Sequence, residues 1–370
     1  MTISEYPFLE DIAPGIRELN PYIPGKPLSE LERELGITHS IKLASNENPL
    51  GVSTKVTRAV SSALVDLARY PDGSGFELRH KLAEKHKLDA SCITLGNGSN
   101  DVLDMVARVF LSAGSESLFS EYAFAVYALS SQAAGGRLVK APAKCYGHDL
   151  DAMLQRLTPH TRVIWIANPN NPTGTWLTRQ ELYAFLQKIP TSTIVVIDEA
   201  YIEFVNEPDY PDASLWLGEF PNLIVTRTFS KAYGLAALRI GYSLSHPRIA
   251  DLLNRVRQPF NVNSLAQIAA LAALDDPQFI ERTVAVNSVG MRQLSEGFDA
   301  LELRYIPSVG NFITLDLTQD AANVDQALLR LGCITRPIGG YGLPNHLRVS
   351  IGLEEENERL LGALKEVLQA

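Results

Sequence analysis

The sequence predicts an α/β protein, a three-layer sandwich around a mostly parallel seven-stranded sheet, joined by a smaller α+β domain. The first observation is a series of short apolar runs that alternate with helical stretches. The second is a change of pattern after residue 275, where short strands and helices interleave differently. The third is the length of 370 residues, which exceeds that of one typical domain.

The N-terminal part predicts an arm followed by helices. Residues 1–28 carry five prolines and few paired apolar residues, so we expect an extended arm. A short amphipathic stretch that ends at Gly36 predicts a helix over 29–35. Apolar residues at helical spacing predict two further helices, over 53–67 and 76–87.

The middle of the chain predicts the central sheet. Its strands are short and apolar, and we expect them to be buried on both faces because helical stretches separate them. An alanine-rich stretch over 256–274 predicts a long helix. The seven predicted strands lie at 93–95, 117–119, 138–140, 163–167, 193–197, 223–226 and 240–244.

The C-terminal part predicts the smaller domain. Helices are expected at 324–331 and 354–368. We predict an arm at 1–28, a large domain at 45–275, and a small domain made of 29–44 and 276–370. The predicted strands of the small domain lie at 303–306, 312–317, 334–337 and 347–351.

Composition excludes several classes of protein. Apolar residues make up 46% and charged residues 20%, which is typical of a globular enzyme. The net charge is −9 and no Lys/Arg run is present, so we expect no nucleic-acid partner. No apolar run is long enough to span a bilayer, and no signal peptide is visible. The three cysteines are isolated, so we expect free thiols, no metal site and a cytoplasmic protein.

The most informative motif surrounds a lysine. Lys231 follows Ser230, and Arg239 lies eight residues further along. Lysine amines form Schiff bases with carbonyls, while a hydroxyl and a guanidinium can bind a phosphate. Apolar runs flank the motif, so we expect Lys231 on a connection between two buried strands. A surface lysine in a loop is the alternative.

A second motif is a glycine-rich turn that leads from the first strand into a helix. Gly96, Gly98, Ser99 and Asn100 could let backbone N–H groups approach a phosphate at a helix N-terminus. Asp101 stands where the dinucleotide fingerprint requires its third glycine, so that fingerprint fits poorly. A structural turn explains the same residues.

Two more polar groups end predicted strands. Asn171 lies in a proline-rich loop after the strand at 163–167, where open α/β sheets bind ligands. A rigid turn is the alternative. Asp198 ends an apolar strand, and a buried carboxylate requires a cationic partner, either a protonated ring nitrogen or a metal. Tyr201, three residues later, could reach a phenolic oxygen.

Two arginines lie inside apolar segments near the C-terminus. Arg336 and Arg348 suit bidentate binding of an anion, and a glycine-rich segment separates them. An arginine whose stem packs while its head reaches solvent would give the same pattern.

In this order the motifs resemble those of the fold type I aminotransferases that use pyridoxal 5′-phosphate, and more narrowly of the histidinol-phosphate aminotransferases. The resemblance covers nearly the whole chain. It runs from Leu19-Asn-Pro-Tyr22 through the segments at 44–51 and 69–73 to Tyr341 and Arg348. Departures from the family pattern are Asn100 for aspartate, Tyr122 for proline and Ala237 for glycine.

The resemblance implies roles for individual residues. Lys231 would carry the cofactor, Asp198 would pair with its pyridine nitrogen, and Tyr201 with Asn171 would bind its phenolic oxygen. Phe124 would stack on the ring. Substrate would contact Arg348 and Asn46, and its phosphate would contact Arg336 together with Tyr22 of a partner subunit. The cofactor phosphate would be held by Gly98, Ser99, Asn100, Thr228, Ser230 and Arg239, and by Tyr70 of a partner subunit.

The function that the resemblance implies is transamination between histidinol phosphate with 2-oxoglutarate and imidazole-acetol phosphate with glutamate, a step of histidine biosynthesis, in a homodimer. An aromatic amino acid aminotransferase and a threonine-phosphate decarboxylase are alternatives on the same scaffold. Outside it, a nicotinamide-dependent oxidoreductase would leave Lys231 unexplained. A regulatory pyridoxal-binding protein would need no set of substrate-binding arginines.

Overall fold

The computed structural model describes residue 8 and residues 11–17, 19–22 and 24–369. The predicted arm at 1–28 therefore lies partly outside the described residues. Within it, Pro14–Arg17 form a helical turn, which differs from the extended chain expected there. The helices are α1 (Pro14–Arg17), α2 (Leu28–Leu35), α3 (Thr54–Ala63), α4 (Phe76–His86), α5 (Ser99–Phe110), α6 (Ala125–Ala133), α7 (Leu150–Gln155), α8 (Arg179–Leu186), α9 (Pro247–Val256), α10 (Ser264–Leu274), α11 (Pro277–Ala300), α12 (Ala321–Arg330) and α13 (Glu354–Gln369).

Short strands alternate with these helices. They are β1 (Ile41–Lys42), β2 (Ile93–Gly96), β3 (Glu116–Ser120), β4 (Arg137–Ala141), β5 (Ala143–Lys144), β6 (Gly147–His148), β7 (Thr161–Ala167), β8 (Ile194–Asp198), β9 (Leu223–Thr228), β10 (Gly241–Ser245), β11 (Arg304–Ile306), β12 (Phe312–Asp316), β13 (Cys333–Ile334), β14 (Arg336–Pro337) and β15 (His346–Ser350). No helix in the described part of the chain is long and apolar enough to cross a membrane.

The central sheet has seven strands in the order β2-β10-β9-β8-β7-β3-β4, which confirms the predicted fold class. β10 runs antiparallel to both of its neighbours, and the other pairs are parallel. The carboxyl ends of β2, β7, β8 and β9 therefore meet at one edge of the sheet, where ligands bind in open α/β folds.

Both faces of this sheet are buried. Alternate residues of each strand point to opposite faces, so Ile164, Val195 and Val225 contribute to one apolar core. Their neighbours Trp165, Val196 and Ile224 contribute to a second core on the other face, under α5 and α9. The strands at the centre of the sheet, β7 and β8, are mostly apolar for this reason.

A second, four-stranded sheet lies in the C-terminal part, in the order β11-β12-β15-β14. Its core includes Leu294, Phe298, Leu347 and Leu364. The short strand β1 pairs with β13, and Leu31 of α2 packs on residues of the same region. The domain boundaries proposed from the sequence stay a prediction.

Two helical predictions differ from the structure. The single helix predicted over 256–274 is wrong, because α9 ends at Val256 and α10 begins at Ser264. Pro259 cannot donate a backbone hydrogen bond, and Phe260 adopts a φ of 56°, so the chain turns between the two helices. The 24-residue helix α11 is missing from the predictions, because its buried positions include Thr283, Asn287 and Gly290 and give little apolar periodicity.

Candidate active site

A cavity of about 330 Å³ lies at the carboxyl ends of the central strands. It is closed on the other side by residues of the N-terminal segment and of the second sheet. Most side chains that the sequence singled out meet there, although they come from all parts of the chain. Its lining includes Tyr22, Asn46, Ser99, Asn100, Phe124, Asn171, Asp198, Tyr201, Thr228, Ser230, Lys231, Arg239, Arg336 and Arg348.

Lys231 lies three residues after β9, on the connection to β10, as the flanking apolar runs predicted. Its Nζ donates to the carbonyl oxygen of Ser45 at 3.0 Å and lies 5.9 Å from the centre of the Tyr201 ring. Burial lowers the pKa of the Lys231 ammonium to about 7, and the positive charge of Arg348 acts in the same direction. A large fraction of this amine is therefore neutral, and nucleophilic, near pH 7.

Asp198 ends β8 and is buried. Its two oxygens accept hydrogen bonds from the hydroxyls of Tyr127, at 2.8 Å, and Thr226, at 2.9 Å. Burial raises the pKa of the Asp198 carboxyl, while both hydroxyls oppose that rise. The carboxylate is thus oriented by two neutral donors and faces a cavity that can hold a cationic group.

The N-terminus of α5 forms another wall. Ser99 and Asn100 begin this 12-residue helix, so their backbone N–H groups lie where an anion is stabilised. Gly98 precedes them with a φ of 83°, and a Cβ there would lie 2.4 Å from Nη2 of Arg239. Only glycine lets the guanidinium approach the turn this closely.

Hydroxyl groups lie beside that guanidinium. Nη1 of Arg239 donates to Oγ of Ser230 at 3.2 Å and to the carbonyl oxygen of Ala236 at 3.0 Å. The backbone N–H of Ser230 donates to Oγ1 of Thr228 at 3.1 Å. Together with the α5 N-terminus, these groups form a cradle of hydrogen-bond donors for a tetrahedral anion.

Arg348 is buried on β15 and contacts the loop after β7. Its Nη1 donates to Oδ1 of Asn171 at 2.6 Å, and its Nη2 donates to the carbonyl oxygen of Ala44 at 2.7 Å. Its Nε is buried and has no partner among the described residues. Because Oδ1 of Asn171 accepts from Arg348, the amide Nδ2 of Asn171 remains available to donate to a ligand.

Tyr201 is buried beside Arg348 and Asp198. Nδ2 of Asn46 donates to the Tyr201 hydroxyl at 2.9 Å. Burial raises the pKa of Tyr201 to about 12, so its hydroxyl stays protonated at neutral pH. The amide of Asn46 thus bonds within the protein, and its predicted contact with substrate stays a prediction.

Phe124 lies at the start of α6 and its ring meets that of Tyr127 edge to face, with centroids 5.8 Å apart. The preceding loop contains Tyr122 at a φ of 56°, and its carbonyl oxygen accepts from Nδ2 of Asn170. A proline, whose φ is fixed near −65°, could not adopt this backbone conformation. The loop therefore differs from that of a chain with proline at this position.

The resemblance assigned Tyr22 and Tyr70 to a partner subunit, and the two residues lie in different positions relative to the cavity. Tyr22 lines the cavity of its own chain, and the guanidinium of Arg336 lies 5.9 Å from the centre of its ring. A partner is therefore not needed to bring these two together. Tyr70 lies outside the cavity, is 83% exposed and stacks on Phe260 of the same chain.

Three contributing residues escaped the sequence analysis. Tyr127 follows Phe124 by three positions on α6, so helical spacing places both on one face. Thr226 precedes Thr228 by two positions, and Ser350 follows Arg348 by two, so each pair shares a face of its strand. These spacings from predicted site residues are the features of the sequence that could have indicated the three residues.

Comparison with known proteins agrees with this geometry. Residues 38–364 match the family model described as aminotransferase class I and II. The chain is 57% identical over 365 residues to histidinol-phosphate aminotransferase 2 of Pseudomonas aeruginosa, covering 98% of each chain. It is also 57% identical over 361 residues to the protein of that name from Methylococcus capsulatus, covering 96% of this chain and 97% of the relative.

A solved structure is similar over the same length. The histidinol-phosphate aminotransferase from Sinorhizobium meliloti, crystallised in complex with pyridoxal 5′-phosphate, superposes with a TM-score of 0.90 at 29% identity. The match covers 97% of this chain and 98% of that one. With its seven-stranded sheet, its lysine-containing cavity and these relatives, the chain belongs to the class I and II aminotransferase family, in the group of the histidinol-phosphate aminotransferases.

Proposed function

We propose that this chain binds pyridoxal 5′-phosphate and transfers an amino group between histidinol phosphate and 2-oxoglutarate, as a step of histidine biosynthesis. The observation that carries the proposal is the meeting, in one cavity, of a lysine with a lowered pKa, a buried carboxylate and a donor cradle for a phosphate. The names of the full-length relatives support the choice of substrate.

The residues present fit this cofactor. Its phosphate matches the cradle of Ser99, Asn100, Thr228, Ser230 and Arg239, which Gly98 keeps open to the guanidinium. Its ring nitrogen matches Asp198, a buried carboxylate that lines the cavity and that a protonated ring nitrogen would stabilise.

The other residues of the cavity also fit this cofactor. The ring would stack on Phe124, and its phenolic oxygen would accept from Asn171 and Tyr201, both of which can donate into the cavity. Lys231 would carry the aldehyde carbon through its neutral amine. Tyr70 of a partner subunit would complete the phosphate site, since Tyr70 does not line the cavity of its own chain.

When bound, pyridoxal phosphate supplies an electron-accepting ring that makes the α-proton of an attached amine acidic. Asp198 would hold a proton on the ring nitrogen, because opposite charges attract strongly in a site from which water is excluded. The neutral amine of Lys231 would act as general base and then as general acid, taking up the α-proton of the substrate and giving it back. Tyr201 and Asn171 would orient the ring from its phenolic side.

Two arginines would distinguish the substrates. Arg348 is buried and has an unpaired Nε, and it would bind the carboxylate of glutamate. Arg336 is half-buried at the Tyr22 side of the cavity and would bind the phosphate of histidinol phosphate.

We also propose a homodimer in the cytoplasm, and free Cys92, Cys145 and Cys333 agree with a reducing compartment. Sedimentation at several concentrations checks the dimer.

A substrate panel tests the proposed function. Purified protein with pyridoxal phosphate and 2-oxoglutarate is given histidinol phosphate, phenylalanine or threonine phosphate, and glutamate and CO₂ are measured. We expect kcat/KM for histidinol phosphate to exceed that for phenylalanine by roughly 100-fold or more, because the phosphate site stays empty with phenylalanine. Release of CO₂ from threonine phosphate, or a preference for phenylalanine, would contradict the proposal.

The same panel includes an arginine variant that separates the two half-reactions. Arg336→Gln should raise KM for histidinol phosphate roughly 10- to 100-fold, through loss of charged hydrogen bonds to the phosphate. The half-reaction with glutamate should lose less, since a phosphate forms stronger charged hydrogen bonds with Arg336 than the second carboxylate of glutamate would. Equal losses in both half-reactions would show that Arg336 has another role.

A further inference from the structure

A chain of hydrogen bonds links β15 to the cavity through Asn46. This residue is buried and adopts a left-handed backbone conformation with a φ of 53°. Its backbone N–H donates to Oγ of Ser350 at 2.7 Å, and Oγ of Ser350 donates to Oδ1 of Asn46 at 3.1 Å. Its Nδ2 donates to the hydroxyl of Tyr201 at 2.9 Å. The carbonyl of Asn46 accepts from Nδ2 of Asn311 at 3.0 Å.

The donor and acceptor roles in this chain agree with one another. A backbone N–H can only donate, so the Ser350 oxygen accepts from Asn46 and its own proton is free to donate. That proton goes to Oδ1, which leaves the NH₂ group of the same amide facing Tyr201. The Tyr201 oxygen accepts this hydrogen bond, so its own proton points away from Asn46. Among the described residues, the bond from Asn46 is the hydrogen bond that the structure shows at the Tyr201 hydroxyl.

We propose that Ser350 and Asn46 are positioning residues that make the Tyr201 hydroxyl a hydrogen-bond donor directed into the cavity, towards the phenolic oxygen of the bound cofactor. This inference rests on the proposed function, because it needs pyridoxal phosphate in the cavity. Ser350 itself does not line the cavity and would act only through Asn46 and Tyr201.

The surroundings of Tyr201 support the inference. Its hydroxyl is buried, and the ionisable groups that face it are Arg348 on β15, Asp198 on β8, Tyr341 and Lys231. Arg348 donates hydrogen bonds to Asn171 and to the carbonyl oxygen of Ala44. Asp198 already accepts from Tyr127 and Thr226. A phenolic oxygen of a bound ligand would therefore be the acceptor that Tyr201 lacks.

The test reads the visible absorption of the bound cofactor as a function of pH, without turnover. A donor to the phenolic oxygen stabilises its negative charge most when the neighbouring lysine nitrogen has lost its proton, so the donor lowers the pH midpoint of the spectral change. Tyr201→Phe should raise the midpoint by about one pH unit. Ser350→Ala lets the Asn46 amide turn over and accept the Tyr201 proton, so it should raise the midpoint by about half a unit.

A double variant separates positioning from a purely structural role. In the Tyr201→Phe background, Ser350→Ala should give no further shift, because it acts through a hydroxyl that is no longer present. Ser245→Ala is the matched control, a fully buried serine at the far end of β10, and its midpoint should equal that of the parent. If Ser350→Ala does not fold, Ser350→Cys, with a weaker donor, is read in the same way.

The outcomes are distinct. A shift with Ser350→Ala that disappears in the double variant supports the inference. A visible band in the parent with no shift in Ser350→Ala, or a shift that adds fully to that of Tyr201→Phe, overturns the inference alone. A parent protein that takes up no pyridoxal phosphate overturns the proposed function, and the inference with it.

Discussion

The amine of Lys231 lies among positive charges in a buried site. Burial lowers its pKa to about 7, and Arg348 and Arg239 act in the same direction. Since the neutral amine is the nucleophile, we expect the rate at which apoprotein takes up pyridoxal phosphate to rise through pH 7 and level off above about pH 8. Stopped-flow absorbance between pH 5.5 and 9.5 measures this rate, with lysine amide whose α-amino group is acetylated as the control. A rise that continues to pH 9.5 would contradict the lowered pKa.

Single residues show how far the sequence could predict the site. Lys231, Asp198 and Arg239 were predicted because each is a charged group beside an apolar strand, and charge is rarely buried without a role. Tyr127 and Ser350 were not predicted. An apolar-looking helix position and a serine within a strand are unremarkable until the fold brings them to Asp198 and Asn46.

At the scale of elements, the turn between β2 and α5 is tightly constrained at Gly98. Gly98→Ala would force a side chain into a φ of 83° and place its Cβ 2.4 Å from Arg239. We expect the Kd for pyridoxal phosphate to rise roughly 10- to 100-fold, since Arg239 must move. Spectroscopic titration measures this affinity.

Gly362→Ala is the control for that prediction. Gly362 lies in α13 with open space around it, so the change should leave affinity unaltered and stabilise the protein by up to about 1 kcal/mol. Parent-like affinity of Gly98→Ala would show that the turn tolerates a side chain.

Elements were predictable where apolar patterning determined them. The central strands are buried on both faces, so their runs stand out in the sequence. α11 was missed because Asn287 and Gly290 are buried at positions where an apolar residue is expected. The break between α9 and α10 depends on the backbone of Phe260, which no apolar periodicity reports.

The whole molecule is acidic, yet its cavity is cationic. The chain carries a net charge of −9, while Lys231, Arg239, Arg336 and Arg348 line one space beside a single carboxylate, Asp198. Anions are therefore held by local contacts and not by the overall field. The fold achieves this by joining the ends of the central strands to β15 and to the segment at 44–46, which are remote in sequence.

The central claim is that Lys231 carries the cofactor in this cavity, and one measurement tests it most directly. Protein loaded with pyridoxal phosphate is reduced with sodium borohydride, digested and analysed by mass spectrometry, with Lys231→Ala as the control. We predict that a phosphopyridoxyl group is found on the peptide that contains Lys231, and that the folded Lys231→Ala variant carries none. Modification of another lysine in its place, or no modification of the parent protein, would contradict the account.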